Sequence, residues 1–446
     1  MDPITPPYGP QTFRIHTYGC KVNTYDSGLL ESRLSRSGMI RSGPQQEPQV
    51  HILNTCAVTK EATREAVKTA RRLKAQNPSA LVVVTGCAAQ VDTEAFTHVP
   101  GVDLVVANSH KGALENLIRQ YYSGQLQARV HKSNIFKKED LEPGGGLEPG
   151  HTRAFLKIQD GCDSFCTFCV IPFARGKSRS LSVGEIVQRV RELEAAGVRE
   201  VVLTGVHIAD YRDEGGRVLE NLVEELLVRT RISRLRLSSL EPGEMSGRLF
   251  DLYQDSRMCR HFHMSIQSAN SKVLRDMKRR YNAEAVETAL TEIAARVPGS
   301  FVGMDVIAGF PGESDEEFID SFNRLKLLPW TRLHVFPYSS RPGTFASRRS
   351  DFIAPAAIKN RARLLRELSA QRWEESAQKQ VGTRKAALVL RNSRLLTRDF
   401  WTVEVETAAA TDLLSNQEVE VLIQGVSTQG TLKGKFVSHE TPDGEH

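Results

Sequence analysis

The sequence predicts an α/β protein in three parts: an N-terminal parallel-sheet domain, a central partial (β/α)6 barrel and a small C-terminal β-barrel. Three observations carry this reading. Short apolar runs alternate with helical stretches from residue 11 to about residue 340, the pattern of a parallel sheet covered by helices. Six such β/α units follow one another after residue 151, which makes a partial version of the parallel barrel. From Arg384 onward the pattern changes to short strands joined by turns, the signature of a small barrel. A chain of 446 residues also exceeds what one core sustains, so two to four domains are expected.

Composition narrows the class. Hydrophobic residues at 40% and charged residues at 25% are ordinary for a globular protein and argue against disorder. No apolar run reaches membrane-spanning length, and Met1 to Pro10 lacks a signal-peptide pattern. The expected location is the cytoplasm, with no membrane partner. In that reducing compartment the seven cysteines read as metal ligands or core residues, not disulfides. Lys+Arg 59 against Asp+Glu 53 gives a net charge of +6, which is compatible with nucleic acid but does not require it.

The N-terminal domain is predicted over residues 11–135. Strands fit Phe13 to Thr17, Gln49 to Asn54, Ala80 to Thr85 and Val102 to Ala107; helices fit Asp26 to Ser37, Lys60 to Ala75 and Gly112 to Tyr122. Runs such as Leu81-Val82-Val83-Val84 suit strands buried on both faces. Cys20, Cys56 and Cys87 each fall just past the carboxyl end of a strand, the edge at which open α/β sheets bind ligands. Three residues far apart in sequence would then converge on one metal site. The alternative is three unrelated core cysteines.

Residues 136–150, charged and rich in Gly and Pro, read as a flexible, solvated linker. The central domain is predicted over 151–350. Its strands fit Ala154 to Gln159, Glu200 to Thr204, Arg234 to Leu237, His261 to Ile266, Phe301 to Ile307 and Arg332 to Phe336. Its helices fit Ser182 to Ala196, Leu219 to Arg229, Gly243 to Tyr253, Ala283 to Arg296 and Ser314 to Leu325. After the first strand comes Cys162, Cys166 and Cys169, spaced C-x3-C-x2-C. A structural zinc wants four ligands, usually in two separated pairs, and no second pair follows at that spacing. An iron–sulfur cluster fits better, because thiolates are its normal ligands and three of them leave one iron of a cubane open for a small molecule. Zinc or a chance cluster remain the other readings.

Polar and glycine residues mark the remaining strand ends: Thr204 and Gly205 on the second, Ser239 on the third, Gln267 on the fourth, Asp305 and Gly309 on the fifth. Any one of them reads equally as a turn residue. Together they ring the face where barrel chemistry sits. His207, His261, His263 and His334 read as core or surface histidines, and Cys259 as a packed thiol. The basic run Arg275 to Tyr281 is either a solvated helix end or an anion contact.

Residues 351–380 read as a charged connecting helix carrying Trp373, and 381–440 as the small β-barrel. Strands there fit Arg384 to Leu390, Phe400 to Glu406, Glu418 to Ile423, Gly425 to Leu432 and Phe436 to Ser438. Arg384, Lys385, Arg391, Arg394 and Arg398, with Phe400 and Trp401 beside them, form a basic and aromatic cluster suited to RNA. The rest of the module is acidic.

The C-x3-C-x2-C loop after a strand resembles the signature of the radical S-adenosylmethionine (SAM) superfamily. That resemblance implies that the open iron holds the amino and carboxylate groups of SAM, with Thr204 and Gly205 at the amino group, and that an electron from the cluster releases a 5′-deoxyadenosyl radical. Over nearly the whole chain the three-part order resembles the methylthiotransferases of that superfamily. The carrying motifs are Gly-Cys20-Lys-Val-Asn, Asn-Thr-Cys56-Ala-Val and Thr-Gly-Cys87-Ala-Ala-Gln, which in the family ligate an auxiliary cluster. The C-terminal module would be the family's TRAM domain. Lys157-Ile-Gln-Asp-Gly-Cys162, Ile171-Pro-Phe-Ala-Arg-Gly176, Leu203-Thr-Gly-Val-His207, Arg236-Leu-Ser-Ser-Leu-Glu-Pro242 and Leu333-His-Val-Phe-Pro-Tyr-Ser339 are most similar to the branch acting on N6-threonylcarbamoyladenosine in tRNA. Thr24, where the family has Gln or Glu, and the stretch His263 to Asn270 depart from its pattern.

The resemblance implies two 4Fe-4S clusters, SAM as cosubstrate, a tRNA substrate, an electron donor such as flavodoxin or ferredoxin, and a sulfur source. The implied reaction converts the modified adenosine at position 37, 3′ of the anticodon, to its 2-methylthio derivative. Cys162, Cys166 and Cys169 would be the catalytic set. Alternatives are isopentenyladenosine or a ribosomal protein as substrate, or a non-catalytic iron–sulfur protein that binds RNA or senses redox state.

Overall fold

The computed structural model describes residues 11–138, 141, 145, 152–390, 394–405, 416–428 and 430–437. Thr12–Thr17 (β1), Ile40–Arg41 (β2), Val50–Thr55 (β3), Leu81–Gly86 (β4), Leu104–Ala107 (β5) and Val130–His131 (β6) form a parallel sheet in the order β2-β1-β3-β4-β5-β6. β3 and β4 are buried along their whole length, and their side chains alternate between two apolar layers, as the pleat requires. Leu53, Val82, Val84 and Val105 pack with Ala66, Ala70 and Leu73 of Lys60–Gln76 (α2), and with Ala88, Ala89 and Phe96 from Cys87–Val91 (α3) and Glu94–Thr97 (α4). Ile52, Val83 and Val106 face the other way, against Leu30 and Leu34 of Lys21–Arg36 (α1) and Leu114, Leu117 and Ile118 of Leu114–Tyr122 (α5). α1 begins at Lys21, ahead of the expected Asp26, because the chain turns at Gly19 and Cys20 takes the extended N-cap conformation. The edge strands β2 and β6, two residues each, are too short to leave a periodic signal.

The barrel follows as Arg153–Lys157 (β7), Gln159–Asp160 (β8), Ile171–Arg175 (α6), Arg179–Ser180 (β9), Val183–Ala195 (α7), Glu200–Thr204 (β10), Leu219–Arg229 (α8), Arg234–Leu237 (β11), Ser239–Leu240 (β12), Gly247–Leu252 (α9), His261–Gln267 (β13), Ser271–Asp276 (α10), Ala283–Arg296 (α11), Phe301–Ala308 (β14), Asp315–Leu327 (α12) and Arg332–Pro337 (β15). The ladders in the orders β7-β10-β11 and β12-β13-β14-β15 are parallel, the short β8–β9 pair beside them is antiparallel, and the third strand breaks at Ser238. α7 and α12 open on capping boxes, Ser182 with Glu185 and Ser314 with Glu317, which satisfy orphan N–H donors of the first turn. α9 is shorter than the expected Gly243 to Tyr253 because Pro242–Glu244 forms a separate 3-10 turn.

Pro355–Gln378 (α13) leads to Arg384–Val389 (β16), Arg394–Thr397 (β17), Thr402–Val405 (β18), Glu418–Val426 (β19) and Leu432–Phe436 (β20), closed as β16-β17-β18-β20-β19. Closure leaves no sheet edge exposed. The expected strand Gly425 to Leu432 does not form: β19 runs on to Val426 through an irregularity after Ile423, and the chain then turns. β17 was not expected. Ser438 and Glu406, at the ends of two predicted strands, lie outside the described residues.

Buried ionic networks join the three parts. Between the sheet domain and the barrel, Asp26 meets Lys157 Nζ at 2.6 Å, Lys111 Nζ at 3.1 Å and Arg175 Nη2 at 3.1 Å; Arg175 Nη1 also meets Asp160 at 3.0 Å. Burial alone would raise both carboxyls, but the surrounding cations hold Asp26 and Asp160 far below the usual carboxylate range. Between the two barrels, Glu200 accepts from Arg153 (2.7 Å), Arg234 (2.8 Å) and Arg236 (2.9 Å), and Arg234 reaches on to Glu418 (2.7 Å) and the Leu396 carbonyl (2.9 Å). Phe400 stacks on His261, centroids 4.1 Å apart. In the segment read as a solvated linker, Leu141 packs on the barrel core and Gly145 is buried against the Tyr25 ring, its carbonyl accepting from Arg189 at 2.6 Å. Among the described residues no helix is long and apolar enough to cross a membrane.

Candidate active site

The carboxyl ends of β1, β3 and β4, neighbours in the sheet, deliver Cys20, Cys56 and Cys87 to one place. Buried polar side chains fix the three loops. Asn23 Nδ2 donates to the Tyr18 (2.8 Å) and Thr55 (3.0 Å) carbonyls, Asn54 Nδ2 donates to the Asn23 carbonyl (2.9 Å), and Thr55 Oγ1 donates to the Thr85 carbonyl (2.6 Å). Gly19 has φ +90°, and a Cβ there would sit 2.7 Å from Cys56 Sγ, so only glycine lets the first loop close over the second cysteine. Burial pushes the Cys56 thiol up to about 12, and negative charge on Cys87 and Cys20 pushes the same way. Three mutually repelling thiolates need a shared cation, which is what a cluster's irons provide. Cys20 also occupies the N-cap position of α1, in an extended conformation.

The second trio is built locally. Cys162 N donates to the Gly176 carbonyl (3.1 Å), Cys169 N to the Cys166 carbonyl (2.9 Å), and Thr167 N to the Met277 carbonyl (3.0 Å), which pins the loop on both sides. Gly161, at φ +76°, makes room where a Cβ would strike the Lys177 carbonyl at 1.9 Å. Burial, then its neighbour Cys166, raises the Cys169 thiol to about 12. Cys162 moves the other way: burial opposes ionisation, but hydrogen bonds from His207 and Ser164 outweigh it. His207 is raised to about 11, against the effect of burial, by Cys162 and by Glu244, whose Oε1 lies 2.5 Å from Nε2. Arg279 Nη1 donates to Cys166 Sγ (3.1 Å) and Nη2 pairs with Glu241 (2.5 Å). The ligating atoms of His207, Glu241 and Glu244 lie within 4.8 Å of one another, a set suited to a cation. Arg279 suits a carboxylate.

Between the sheet edge and the barrel mouth lies a cavity of about 700 Å³. Cys20, Cys56 and Cys87 line it, as do Thr204, Gly205, Ser239, Gln267 and Asp305. A relay crosses its floor: Ser239 Oγ to His263 Nδ1 at 2.7 Å, and His263 Nε2 to Asp305 at 3.0 Å. Ser265, also in the lining, links to the cysteine loop, since its carbonyl accepts from Arg279 at 3.0 Å. Gly309 is not part of the lining. Its φ is +76°, and a Cβ there would stand 2.6 Å from Ile358 of α13, so the glycine makes room for a helix.

The basic cluster of the small barrel is only partly free. Arg384 and Arg394 are exposed. Lys385 is paired with Asp399. Arg398 is spent on the barrel interface, donating to the Ser256 (2.8 Å) and Ser233 (3.0 Å) carbonyls and to Glu418 (2.5 Å). Arg391 lies outside the described residues. Sequence reasoning passed over His207, read as a bland histidine, and over Glu241, Glu244, Lys21 and Arg175. Of the site cations only Arg279 had a signal, the basic run around it.

Residues 156–325 match the radical SAM superfamily, and residues 12–107 match the uncharacterized protein family UPF0004. The chain is 37% identical to the threonylcarbamoyladenosine tRNA methylthiotransferase MtaB of Aquifex aeolicus, over 87% of this chain and 95% of that one. It is 37% identical to the protein of the same name from Bacillus subtilis, over 82% of each. A tRNA-2-methylthio-N(6)-dimethylallyladenosine synthase from Pelotomaculum thermopropionicum is 30% identical over 84% and 86%. Among solved structures, the radical SAM methyltransferase TsrM of Kitasatospora setae superposes with a TM-score of 0.59 at 15% identity, over 76% of this chain and 77% of that one, a likeness of fold. With relatives this similar over most of both chains, one cysteine trio lining the cavity and a second linked to that lining through Arg279 and Ser265, the chain belongs to the radical SAM tRNA methylthiotransferase family.

Proposed function

We propose that this protein attaches a methylthio group to C2 of N6-threonylcarbamoyladenosine at position 37 of tRNA. The observation that carries the reading is the placement of one cysteine trio in the lining of a nucleoside-sized cavity whose opposite wall is hydrogen-bonded, through Ser265 and Arg279, to the other. Cys162, Cys166 and Cys169 hold the cluster that binds SAM, and Cys20, Cys56 and Cys87 hold the auxiliary cluster. When bound, the two clusters supply a reductively cleaved SAM and a sulfur atom for a carbon that acid–base chemistry does not activate.

This chain's own residues do the rest. Arg279 takes the carboxylate of SAM, and the Glu241 and Glu244 carboxylates take its ammonium. Thr204, Gly205, Ser239, Gln267 and Asp305 complete the SAM pocket from the strand ends. Phe336, Phe400 and Trp373 give the cavity an aromatic wall on which an adenine stacks. Arg384 and Arg394, both exposed, hold the RNA backbone, with Lys385 and Arg398 reserved for structure. A cytoplasmic location, an electron donor of the flavodoxin or ferredoxin kind and a separate sulfur source belong to the same reading.

Mass spectrometry of tRNA nucleosides from cells with and without the gene tests it. Loss of the methylthio group from threonylcarbamoyladenosine alone is the expected result. Loss from isopentenyladenosine would move the substrate to the other branch, and an unchanged profile would remove tRNA from the reading.

A further inference from the structure

Two cations of the active-site cavity have no carboxylate to pair with. Lys21, at the start of α1, and Arg332, at the start of β15, both line it. Among the described residues neither makes a salt bridge, whereas Arg153, Arg234 and Arg236 behind the cavity are all satisfied by Glu200. Asp305, the acidic side chain in the lining, is engaged by His263. The Arg332 guanidinium carbon lies 4.6 Å from the centroid of the Trp373 ring, beside the aromatic wall. Lys21 is partly buried and Arg332 is exposed at the cavity's edge; two unpaired cations beside an aromatic wall suit an anionic ligand, which charge-assisted hydrogen bonds would hold. The clusters and SAM account for the thiols, for Arg279 and for the two glutamates; they leave Lys21 and Arg332 without a role.

We propose that Lys21 and Arg332 clamp the carboxylate of the threonyl group on the substrate base. They thereby select an N6 substituent that ends in a carboxylate over an alkenyl chain or a bare amino group. The proposal rests on the substrate reading above and adds the residues that enforce it. A site built on charge-assisted hydrogen bonds rejects a neutral analogue strongly, because its own polar groups are then left unpaired. The competing role for Lys21 is to neutralise the auxiliary site beside Cys20.

The test compares four anticodon stem-loops bearing threonylcarbamoyladenosine, its threonyl methyl ester, isopentenyladenosine or plain adenosine at the target position. Each is titrated against the full chain with both clusters reconstituted, and turnover is followed on the threonylcarbamoyl and isopentenyl loops. The wild type is expected to bind the acid at least about tenfold more tightly than the ester or the unmodified loop. Lys21→Met and Arg332→Met should each bring that ratio toward one, and Lys21→Arg should keep most of it. The ester needs no mutation, and β15 carries no cysteine, so loss of iron in Lys21→Met leaves the other two arms decisive. Preference that survives in both Met variants, with turnover of the acid intact in the wild type, overturns the clamp alone. A Lys21→Met variant with altered cluster absorption and undiminished preference assigns Lys21 to the auxiliary site and overturns its part in the clamp. A wild type that methylthiolates an isopentenyl loop but not the threonylcarbamoyl one overturns the substrate reading, and the clamp with it.

Discussion

The two cysteine trios reach the same chemistry by opposite routes. Cys162, Cys166 and Cys169 sit on one loop whose own backbone turns gather them, pinned by hydrogen bonds to Gly176 and Met277. Cys20, Cys56 and Cys87 come from three strand ends and meet only after β1, β3 and β4 have paired. The first set is a local structure that the barrel supports. The second is a property of a whole sheet, so whatever loosens the sheet disperses its ligands. A chain that must carry two similar clusters thus holds them with different dependence on the rest of the fold.

The sharpest way to break this comparison is to remove one ligand from each set. Cys166→Ser should abolish SAM cleavage and leave roughly half of the iron, while Cys56→Ser should keep SAM cleavage and abolish product, also at roughly half the iron. Iron per chain and 5′-deoxyadenosine yield are the measurements. If either variant lost both clusters, the two sites would not be independent. Next in size is strain placed beside each set without touching a ligand. Gly19→Ala drives a methyl into Cys56 and should empty the auxiliary site while SAM cleavage persists; Gly161→Ala should do the reverse.

A stability test follows. Arg175→Met leaves Asp26 and Asp160 buried with less compensation and should cost about 3–5 kcal/mol in chemical denaturation. Both carboxyls ionise at lower pH in the folded chain than in the unfolded one. Their contribution is therefore complete above a pH of about 4, the unfolded value, and fades as pH falls below it toward the folded values. The wild type should lose stability over that acid range more steeply than Arg175→Met. The smallest expected effect is on RNA binding. Arg384→Ala and Arg394→Ala should each weaken tRNA binding a few-fold and flatten the salt dependence by roughly 0.7–0.9 in the log–log slope, whereas Arg398→Ala should act mainly on stability.

What could be read from the sequence divides along the same line. The C-x3-C-x2-C loop was legible at once because its information is local. Elements whose pattern closes on itself, such as Glu200–Thr204, Leu219–Arg229 and Ala283–Arg296, fall where periodicity put them. β17 was missed because Arg394–Thr397 looked like a basic surface, and its strand character comes from closure of the small barrel. Arg398 and Lys385 looked free because nothing local tells that Glu418, Asp399 and a neighbouring domain will claim them. The packing of Gly309 under Ile358 was hidden for a similar reason: a glycine that admits a ligand and one that admits a helix look alike in sequence. His207 became visible only once β10 carried it to Cys162 and Glu244.

The cavity's position has one more consequence. It is walled on one side by the N-terminal sheet and on another by Phe400 of the small barrel, and buried ion pairs fix both walls to the frame. A half-open space of about 700 Å³ between such walls fits a single nucleotide better than a length of helix. On the reading proposed above, the target base has to rotate out of its stack before any chemistry begins, at a cost of about a few kcal/mol that is least for a nucleotide already unpaired. A loop adenosine meets that condition and a duplex adenosine does not, so the narrow space sorts RNA by local looseness before a single atom of the base has been read.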